Sequence, residues 1–262
     1  MANLQSLRNL LTEMQMRYGH FLDGDLHGIQ FDPESLAHEF HQEGIKSVAG
    51  VMAAVFDKNA KAEGKARWGD KTPYYALHLP TLLEMFPDAQ FVHLVRDGRG
   101  VAWSLMDRRH DFKVYNAYQA AKYWQQYVET ARESGRALGE DIYLETRYED
   151  LLNDPESELK KICEFLGEAY SPALLDYQRP PETTHTLLHK PIQKDNGEKW
   201  RRKLSRSQIR LFESGAGKTL RAFGYEPITS AKPYPRPIRA LYRLHNSLMS
   251  WWHKNEKSWK GN

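Results

Sequence analysis

The chain has 262 residues, of which 27% are charged, and a formal net charge of +3 at pH 7. This length allows one α/β domain with a core that needs no disulfide bonds, and a single cysteine, Cys163, excludes an internal disulfide framework. The charge is too small for a nucleic-acid-binding protein but suits an anionic ligand. Because no apolar run reaches about 18 residues and the N-terminus lacks a signal-peptide pattern, we expect a cytoplasmic protein.

The N-terminal third is predicted to be helical, because apolar residues recur three and four positions apart. The predicted helices cover Leu4 to Tyr18, a segment opened by Asp32-Pro33-Glu34, Ile45 to Ala62, and Ala76 to Phe86.

The next segment, AQFVHLVRDGRGVAWSL, changes from a short apolar run to a helical pattern at Asp97-Gly98. The same order of strand and helix recurs with a strand near Ile142 to Glu145 and a helix from Pro155 to Leu166. A long amphipathic helix, Ala117 to Leu138, connects the two strands. This alternation predicts an α/β fold with a parallel sheet flanked by helices.

The segment ESGAGKT, Glu213 to Thr219, looks like a phosphate-binding P-loop. A P-loop needs glycine five positions before its Gly-Lys-Ser/Thr, and that position is Phe212. The segment before it is helical in pattern, with Ser205 as a candidate N-cap. We therefore predict an amphipathic helix with two small residues at a close packing contact, which argues against a P-loop kinase or NTPase.

A better anion site is predicted where the first strand ends. Arg96 lies at the carboxyl end of that strand, Ser104 follows eight residues later, and Arg108 comes one turn beyond on the same helical face. An arginine there presents a fixed fork of donors to phosphate oxygens. The alternative is that these are surface arginines paired with Asp97 and Asp107.

A lysine in WGDKTP, Lys71, follows a short segment that can be read as a strand and precedes a proline. It could direct a compact charge at the oxygens of a transferred group, or it could be an ordinary solvated lysine.

Taken together, WGDKTPYY, FPDAQFVHLVRDGRGVAWSL, RYEDLLNDPE, ICEFLG, EKWRRKLS and FGYEP resemble the sulfotransferase family that uses 3'-phosphoadenosine 5'-phosphosulfate, PAPS. They are most similar to the tyrosylprotein sulfotransferase branch and related bacterial enzymes. The resemblance runs from about Arg67 to Pro227 with order and spacing kept. It implies a P-loop-NTPase-like fold without a metal, and transfer of a sulfuryl group from PAPS to a hydroxyl of a peptide tyrosine, a carbohydrate or a small molecule.

The resemblance also implies roles for individual residues in binding the donor. Arg96 and Ser104 would bind its 3'-phosphate, with Arg108 beside them. Tyr148 would contact the nucleotide, and Lys199 would reach back to the 3'-phosphate.

Two residues would act at the transferred group. Lys71 would touch the oxygen that bridges donor and acceptor, and Thr184 would lie near the sulfuryl group in a loop, Thr184 to Gln193, that closes over the donor.

Two parts of the family pattern have no match in the sequence: the first strand with its Pro-Arg-Ser-Gly-Thr-Thr-like phosphosulfate loop, and the catalytic glutamate that follows. We therefore expect an N-terminally truncated sulfotransferase whose lost central strand leaves two sheet edges to be re-paired or covered. The alternative is a non-catalytic remnant that binds only the 3'-phosphoadenosine nucleotide.

We divide the chain into a sulfotransferase-like domain, residues 1–230, and a C-terminal segment, residues 231–262. The latter carries seven Lys or Arg against one acid, Glu256, and can form an amphipathic helix. Such a helix can lie on an anionic membrane or pack on its own domain, and a homodimer is also left open. His185 and His189 are a weak metal candidate, since no third ligand has suitable spacing.

Overall fold

The computed structural model describes residues 3–21, 31–176 and 193–259. They belong to two compact units. The N-terminal unit comprises Met1–Pro73, Glu84–Pro87 and Arg179–Leu188, and the sheet unit comprises Tyr74–Leu83, Asp88–Gln178 and His189–Asn262. The division at residue 230 stays a prediction.

In the N-terminal unit, three helices enclose an apolar core. They are α1 (Leu4–Phe21), α2 (Pro33–Gln42) and α3 (Val48–Ala62). Their buried side chains include Leu11, Phe40 and Val51. The third helix begins three residues later than predicted, because the Ser47 side chain accepts a hydrogen bond from the backbone of Gly50 and caps the helix there.

The remaining elements follow in chain order. They are α4 (Leu79–Met85), β1 (Phe91–Val95), α5 (Gly98–Asp107), α6 (Arg109–Phe112), α7 (Ala117–Leu138), β2 (Tyr143–Arg147), α8 (Tyr148–Asn153), α9 (Pro155–Leu166), α10 (Trp200–Lys203), α11 (Arg206–Ala222) and α12 (Arg236–Trp259). The bounds of α4, α7, β2 and α9, which the sequence predicted, agree to within three residues. Short 3-10 turns cover Pro73–Leu77, Pro172–Leu174 and Lys194–Glu198.

The two strands form a parallel pair, in register from Phe91 opposite Tyr143 to Val95 opposite Arg147. The predicted mixed α/β fold with a parallel sheet is thus confirmed. One face of the pair packs on α7, where a side chain at Gly135 would lie 2.2 Å from the Tyr143 ring. Among the described residues the sheet has these two strands. The absence of the family's first strand and phosphosulfate loop stays a prediction.

The main core of the sheet unit lies between β1 and the helices α5, α7 and α11. Phe212 is fully buried here and packs near Trp124, with ring centroids 5.9 Å apart. The segment ESGAGKT lies inside α11, as predicted, and Ser205 caps this helix. Only one of its two glycines packs closely: a Cβ at Gly215 would lie 3.1 Å from that of Ala121, whereas nothing lies within 4 Å at Gly217.

The C-terminal helix α12 packs against the start of α7. Asn116 donates to the carbonyl of Tyr242 at 2.9 Å, and Asn246 accepts from the backbone of Tyr115 at 2.7 Å. In the described ranges, no helix is both long and apolar enough to cross a membrane.

Candidate functional site

The candidate site is built where β1 turns into α5. Asp97 is the N-cap of α5, and its side chain accepts from the backbone of Arg99. The turn is held from two other segments, because the Trp124 indole donates to the carbonyl of Arg96 at 3.1 Å and Asp97 N–H donates to Glu149 Oε1 at 3.0 Å. The strand end is therefore a fixed platform for the Arg96 side chain.

The Arg96 guanidinium is fixed on three sides. Its Nη2 donates to the carbonyl of Asn196 at 3.0 Å, and its Cζ lies 5.0 Å from the centroid of the Tyr148 ring. Against α5, a Cβ at Gly100 would lie 3.1 Å from Nε, so glycine gives the guanidinium its room. This Nε is buried and lacks a hydrogen-bond partner among the described residues. A positioned arginine with unused donor capacity suits an anion.

Ser104 and Arg108 are placed differently. Ser104 is partly buried and lies one helical turn beyond Gly100, on the α5 face that Arg96 covers. Arg108 ends the helix, and its side chain is 61% exposed and pairs with Asp111 at 3.0 Å. Ser104 thus shares a helical face with the glycine that Arg96 packs against, while Arg108 pairs with Asp111 instead of the predicted alternatives Asp97 and Asp107.

Tyr148 and Lys199 come from two further segments. Tyr148 begins α8, and Lys199 directly follows the 3-10 turn that contains Asn196, the acceptor for Arg96. This turn packs closely on α8, since a Cβ at Gly197 would lie 3.1 Å from Glu149 Cγ. Three separate segments therefore meet around Arg96.

A buried charge network beneath the site was missed by sequence reasoning. Arg99 is 2% exposed and pairs with Asp97 at 2.7 Å and with Glu213 at 2.9 Å. Burial opposes the charge on Arg99, but hydrogen bonds and attraction from the two carboxylates outweigh it and raise its pKa. Its guanidinium also lies 4.0 Å from the ring centroid of Trp200, the residue after Lys199. The network thus joins α5, α10 and α11.

A second support lies at the strand end. The Tyr225 hydroxyl shares its one hydrogen between Glu149 Oε2, at 2.6 Å, and the carbonyl of Val95, at 3.1 Å. Burial, followed by the contact with Glu149, raises the pKa of Tyr225 above its ordinary value. Tyr225 belongs to FGYEP, one of the motifs that carry the family resemblance, and nothing else in the sequence predicts this contact.

Lys71 lies in the N-terminal unit and is exposed. The strand predicted before it is wrong: residues 65–72 form neither helix nor strand. Side chains hold this segment instead, because Trp68 stacks on Phe56 with centroids 4.7 Å apart and donates to Asp57 at 2.7 Å. The Trp68 side chain, instead of hydrogen bonds to a neighbouring strand, therefore anchors this segment.

Thr184 and the loop ahead of Gln193, with His185 and His189, lie outside the described residues. Within the described part of the chain, no group of three or more His, Cys, Asp or Glu is arranged to hold a metal ion.

Comparison with known proteins identifies the family. A sequence profile described as "Sulfotransferase family" matches residues 5–172. The chain belongs to the sulfotransferase family. The match covers α1 to α9 and thus includes the turn that carries Arg96, so the resemblance read from the sequence motifs is confirmed.

Two solved sulfotransferase domains share the fold. The domain from the Synechococcus PCC 7002 olefin synthase is 26% identical with a TM-score of 0.55, and the alignment covers 85% of this chain and 76% of that one. The domain from the curacin biosynthetic pathway has a TM-score of 0.56 at 20% identity, over 85% of this chain and 79% of that one, and supports the fold alone.

Curated relatives of this sulfotransferase include proteins with different named acceptors. A protein-tyrosine sulfotransferase of Drosophila melanogaster is 26% identical over 89% of this chain and 48% of its own length. The omega-hydroxy-beta-dihydromenaquinone-9 sulfotransferase of Mycobacterium bovis is 33% identical over 41% of this chain and 31% of its own length. The chain spans about half or less of the length of these relatives.

Proposed function

We propose that this sulfotransferase transfers a sulfuryl group from PAPS to a hydroxyl acceptor. The observation that supports it most is Arg96, which Tyr148, Gly100 and the Asn196 carbonyl hold in place with its Nε unpaired among the described residues. Family membership supports sulfuryl transfer in general, and this arginine supports an anionic donor in particular.

In this proposal the donor's 3'-phosphate lies against Arg96 and Ser104, with Lys199 adding a second positive charge and Tyr148 a flat surface for the nucleotide. PAPS supplies a sulfuryl group activated by attachment to a phosphate leaving group. The protein's own part is to hold the anion in one orientation and to stabilise charge on the oxygens, because positioning and electrostatic stabilisation dominate such transfers. Fixed guanidinium and ammonium groups suit this task.

At the acceptor end, we assign Lys71 to the oxygen between donor and acceptor and Thr184 to the sulfuryl group. The acceptor is a hydroxyl in both curated relatives named above, a protein tyrosine in one and an omega-hydroxy menaquinone derivative in the other. These names support the chemical class of the acceptor, a hydroxyl group, for this chain.

Calorimetry tests the donor. We expect 3'-phosphoadenosine 5'-phosphate to bind more tightly than AMP, and Arg96→Ala to weaken its binding roughly 10- to 150-fold, because a charge-assisted hydrogen bond contributes about 1.5 to 3 kcal/mol. Arg210→Ala, an exposed arginine of α11, is the matched control and should leave the affinity unchanged. Equal affinity for the two nucleotides, or an Arg96→Ala variant with wild-type affinity, would refute the assigned phosphate position.

Transfer of label from [35S]PAPS tests the reaction, with a tyrosine-containing peptide and a long-chain primary alcohol as acceptors. Label in either product, lost in Lys71→Ala, supports the proposal. Tight binding of 3'-phosphoadenosine 5'-phosphate without transfer to any hydroxyl would favour the binding-only alternative.

A further inference from the structure

The helix α12 presents two different faces. One packs on its own unit through Tyr242, whose carbonyl accepts from Asn116, and Asn246, which contacts both the backbone of Tyr115 and the carbonyl of Lys113. Farther along the helix, the rings of His253 and His110 stack with centroids 3.8 Å apart. These contacts fix the rotation of the helix about its axis, so its outer face is set by the fold.

That outer face carries a stripe of large apolar side chains, each more than half exposed. The α12 stripe consists of Leu241 (63%), Leu244 (56%), Leu248 (56%), Trp251 (62%) and Trp252 (51%). Successive members are one, three or four residues apart, so they form one continuous ridge over three turns. A contiguous apolar surface of this kind is typical of a binding surface, whereas isolated exposed leucines are common.

A row of positive charge runs beside the stripe. Arg236, Arg243 and Lys254 are exposed, and their spacing of seven and eleven residues places them on one side of the helix. The helix contains a single acidic residue, Glu256, near its C-terminal end, so it carries a clear excess of positive charge. At 3.6 residues per turn the row lies about 120° from the middle of the stripe, on the flank of the helix next to Trp251.

Three occupants can be weighed for this surface. A transmembrane position is excluded for α12, which is not apolar enough to cross a bilayer. A second copy of this chain, packed about a two-fold axis, would bring the same positive row against itself. An anionic lipid surface complements both features, because leucine and tryptophan enter the acyl boundary while lysine and arginine contact the headgroups.

We propose that α12 binds the surface of an anionic membrane through this stripe and its basic row. The helix lies in the plane of the interface, with Trp251 and Trp252 at headgroup depth. This inference goes beyond sulfuryl transfer and does not depend on it.

Co-sedimentation of the full chain with extruded vesicles tests the proposal. We expect binding to phosphatidylcholine vesicles that contain 30% phosphatidylglycerol, and much weaker binding to pure phosphatidylcholine or in 0.5 M NaCl. Each basic residue near an anionic surface strengthens binding about fivefold. The triple variant Arg236→Gln, Arg243→Gln, Lys254→Gln should therefore bind on the order of a hundredfold more weakly.

A matched charge control comes from α11. The triple variant Arg210→Gln, Lys218→Gln, Arg221→Gln removes three exposed charges elsewhere and should lose much less affinity. The stripe is tested by Leu244→Ser with Leu248→Ser, which should abolish binding while circular dichroism and the melting temperature stay at wild-type values. Brominated lipid should quench tryptophan fluorescence, and Trp251→Phe with Trp252→Phe should remove most of that quenching.

Equal binding to neutral and anionic vesicles, or equal losses in the α12 and α11 charge variants, would overturn the proposal. A second result would also overturn it: the wild-type protein does not bind vesicles and sediments in the ultracentrifuge as a dimer. In that case the double variant Leu244→Ser, Leu248→Ser would sediment as a monomer. That result would assign the stripe to a second copy of the chain.

Discussion

Glu213, the first residue of the P-loop-like segment, is predicted to hold the fold together rather than to bind nucleotide. Its carboxylate is 1% exposed and accepts from Arg99 at 2.9 Å, from the backbone of Ile228 at 2.9 Å, and from both the backbone and the hydroxyl of Thr229. Glu213→Ala removes the carboxylate that pairs with Arg99, and it leaves the backbone N–H groups of Ile228 and Thr229 without their acceptor.

The magnitude follows from these contacts. Removing one member of a buried pair costs about 3 to 5 kcal/mol. Arg99 keeps Asp97, at 2.7 Å, which moves the ion-pair loss toward the lower end of that range. Each backbone N–H that loses its acceptor and stays buried away from water costs about 1 to 3 kcal/mol more. We therefore expect Glu213→Ala to lower the free energy of unfolding by about 5 kcal/mol, from about 3 for the ion pair and about 1 for each N–H, and Glu213→Gln, which keeps an acceptor oxygen, by about 2 kcal/mol.

Urea unfolding followed by tryptophan fluorescence measures the loss, with an unchanged denaturant slope as the check that the unfolded state is the same. Glu198→Gln is the control, since its partner Arg201 is 43% exposed and such surface pairs contribute under about 1 kcal/mol. A Glu213→Ala protein within about 1 kcal/mol of wild type would refute the reasoning. Unchanged stability with lost nucleotide binding would restore the phosphate-loop interpretation.

Three further predictions concern stability. Ser205→Ala should cost about 1 kcal/mol in urea unfolding, because Ser205 and Gln208 form a capping box on α11, and no loss would contradict this capping role. Gly135→Ala should lower the melting temperature, since its Cβ would lie 2.2 Å from the Tyr143 ring, whereas Gly217→Ala, with nothing within 4 Å, is the control; equal melting temperatures would contradict the clash. Burial of Glu145 favours its protonated form, but hydrogen bonds from His93 and Arg132 outweigh this and lower its pKa to about 2. The ionised Glu145 therefore contributes its full stabilisation above the unfolded-state pKa of 4.5, and this stabilisation is lost as pH falls toward 2. In urea titrations between pH 6 and pH 2.5, the wild-type protein should lose more stability than Glu145→Gln. Equal losses would contradict this.

The sequence predicts those parts of the fold that local contacts determine. The sequence places α7 and α9 at their observed bounds from amphipathic spacing, and in the structure Asp154 and Gly167 cap α9 through contacts within a single turn. The rule that ligands bind at the carboxyl ends of parallel strands selects Arg96 as the candidate for anion binding, and that assignment stays a prediction.

The supports of the site could not be predicted in the same way. Arg99 and Glu213 are 114 residues apart, and neither side chain differs in the sequence from a surface charge. Their pairing exists only because the β1 turn and α11 pack together, which periodicity does not reveal. The strand predicted before Lys71 is wrong for a related reason: an apparent extended segment is held by the side chain of Trp68 instead of by a neighbouring strand.

The contacts of the Glu149 carboxylate limit which substitutions near the site the fold can accept. One oxygen holds the N–H of Asp97, the other holds the hydroxyl of Tyr225, and the neighbouring ring of Tyr148 lies by Arg96. A single acid thus ties together pieces of chain separated by 52 and 76 positions. A single substitution beside Glu149 disturbs all the segments that its carboxylate connects. To change the ligand preference at this end of the sheet, the segments that carry Asp97, Glu149 and Tyr225 should therefore be exchanged together.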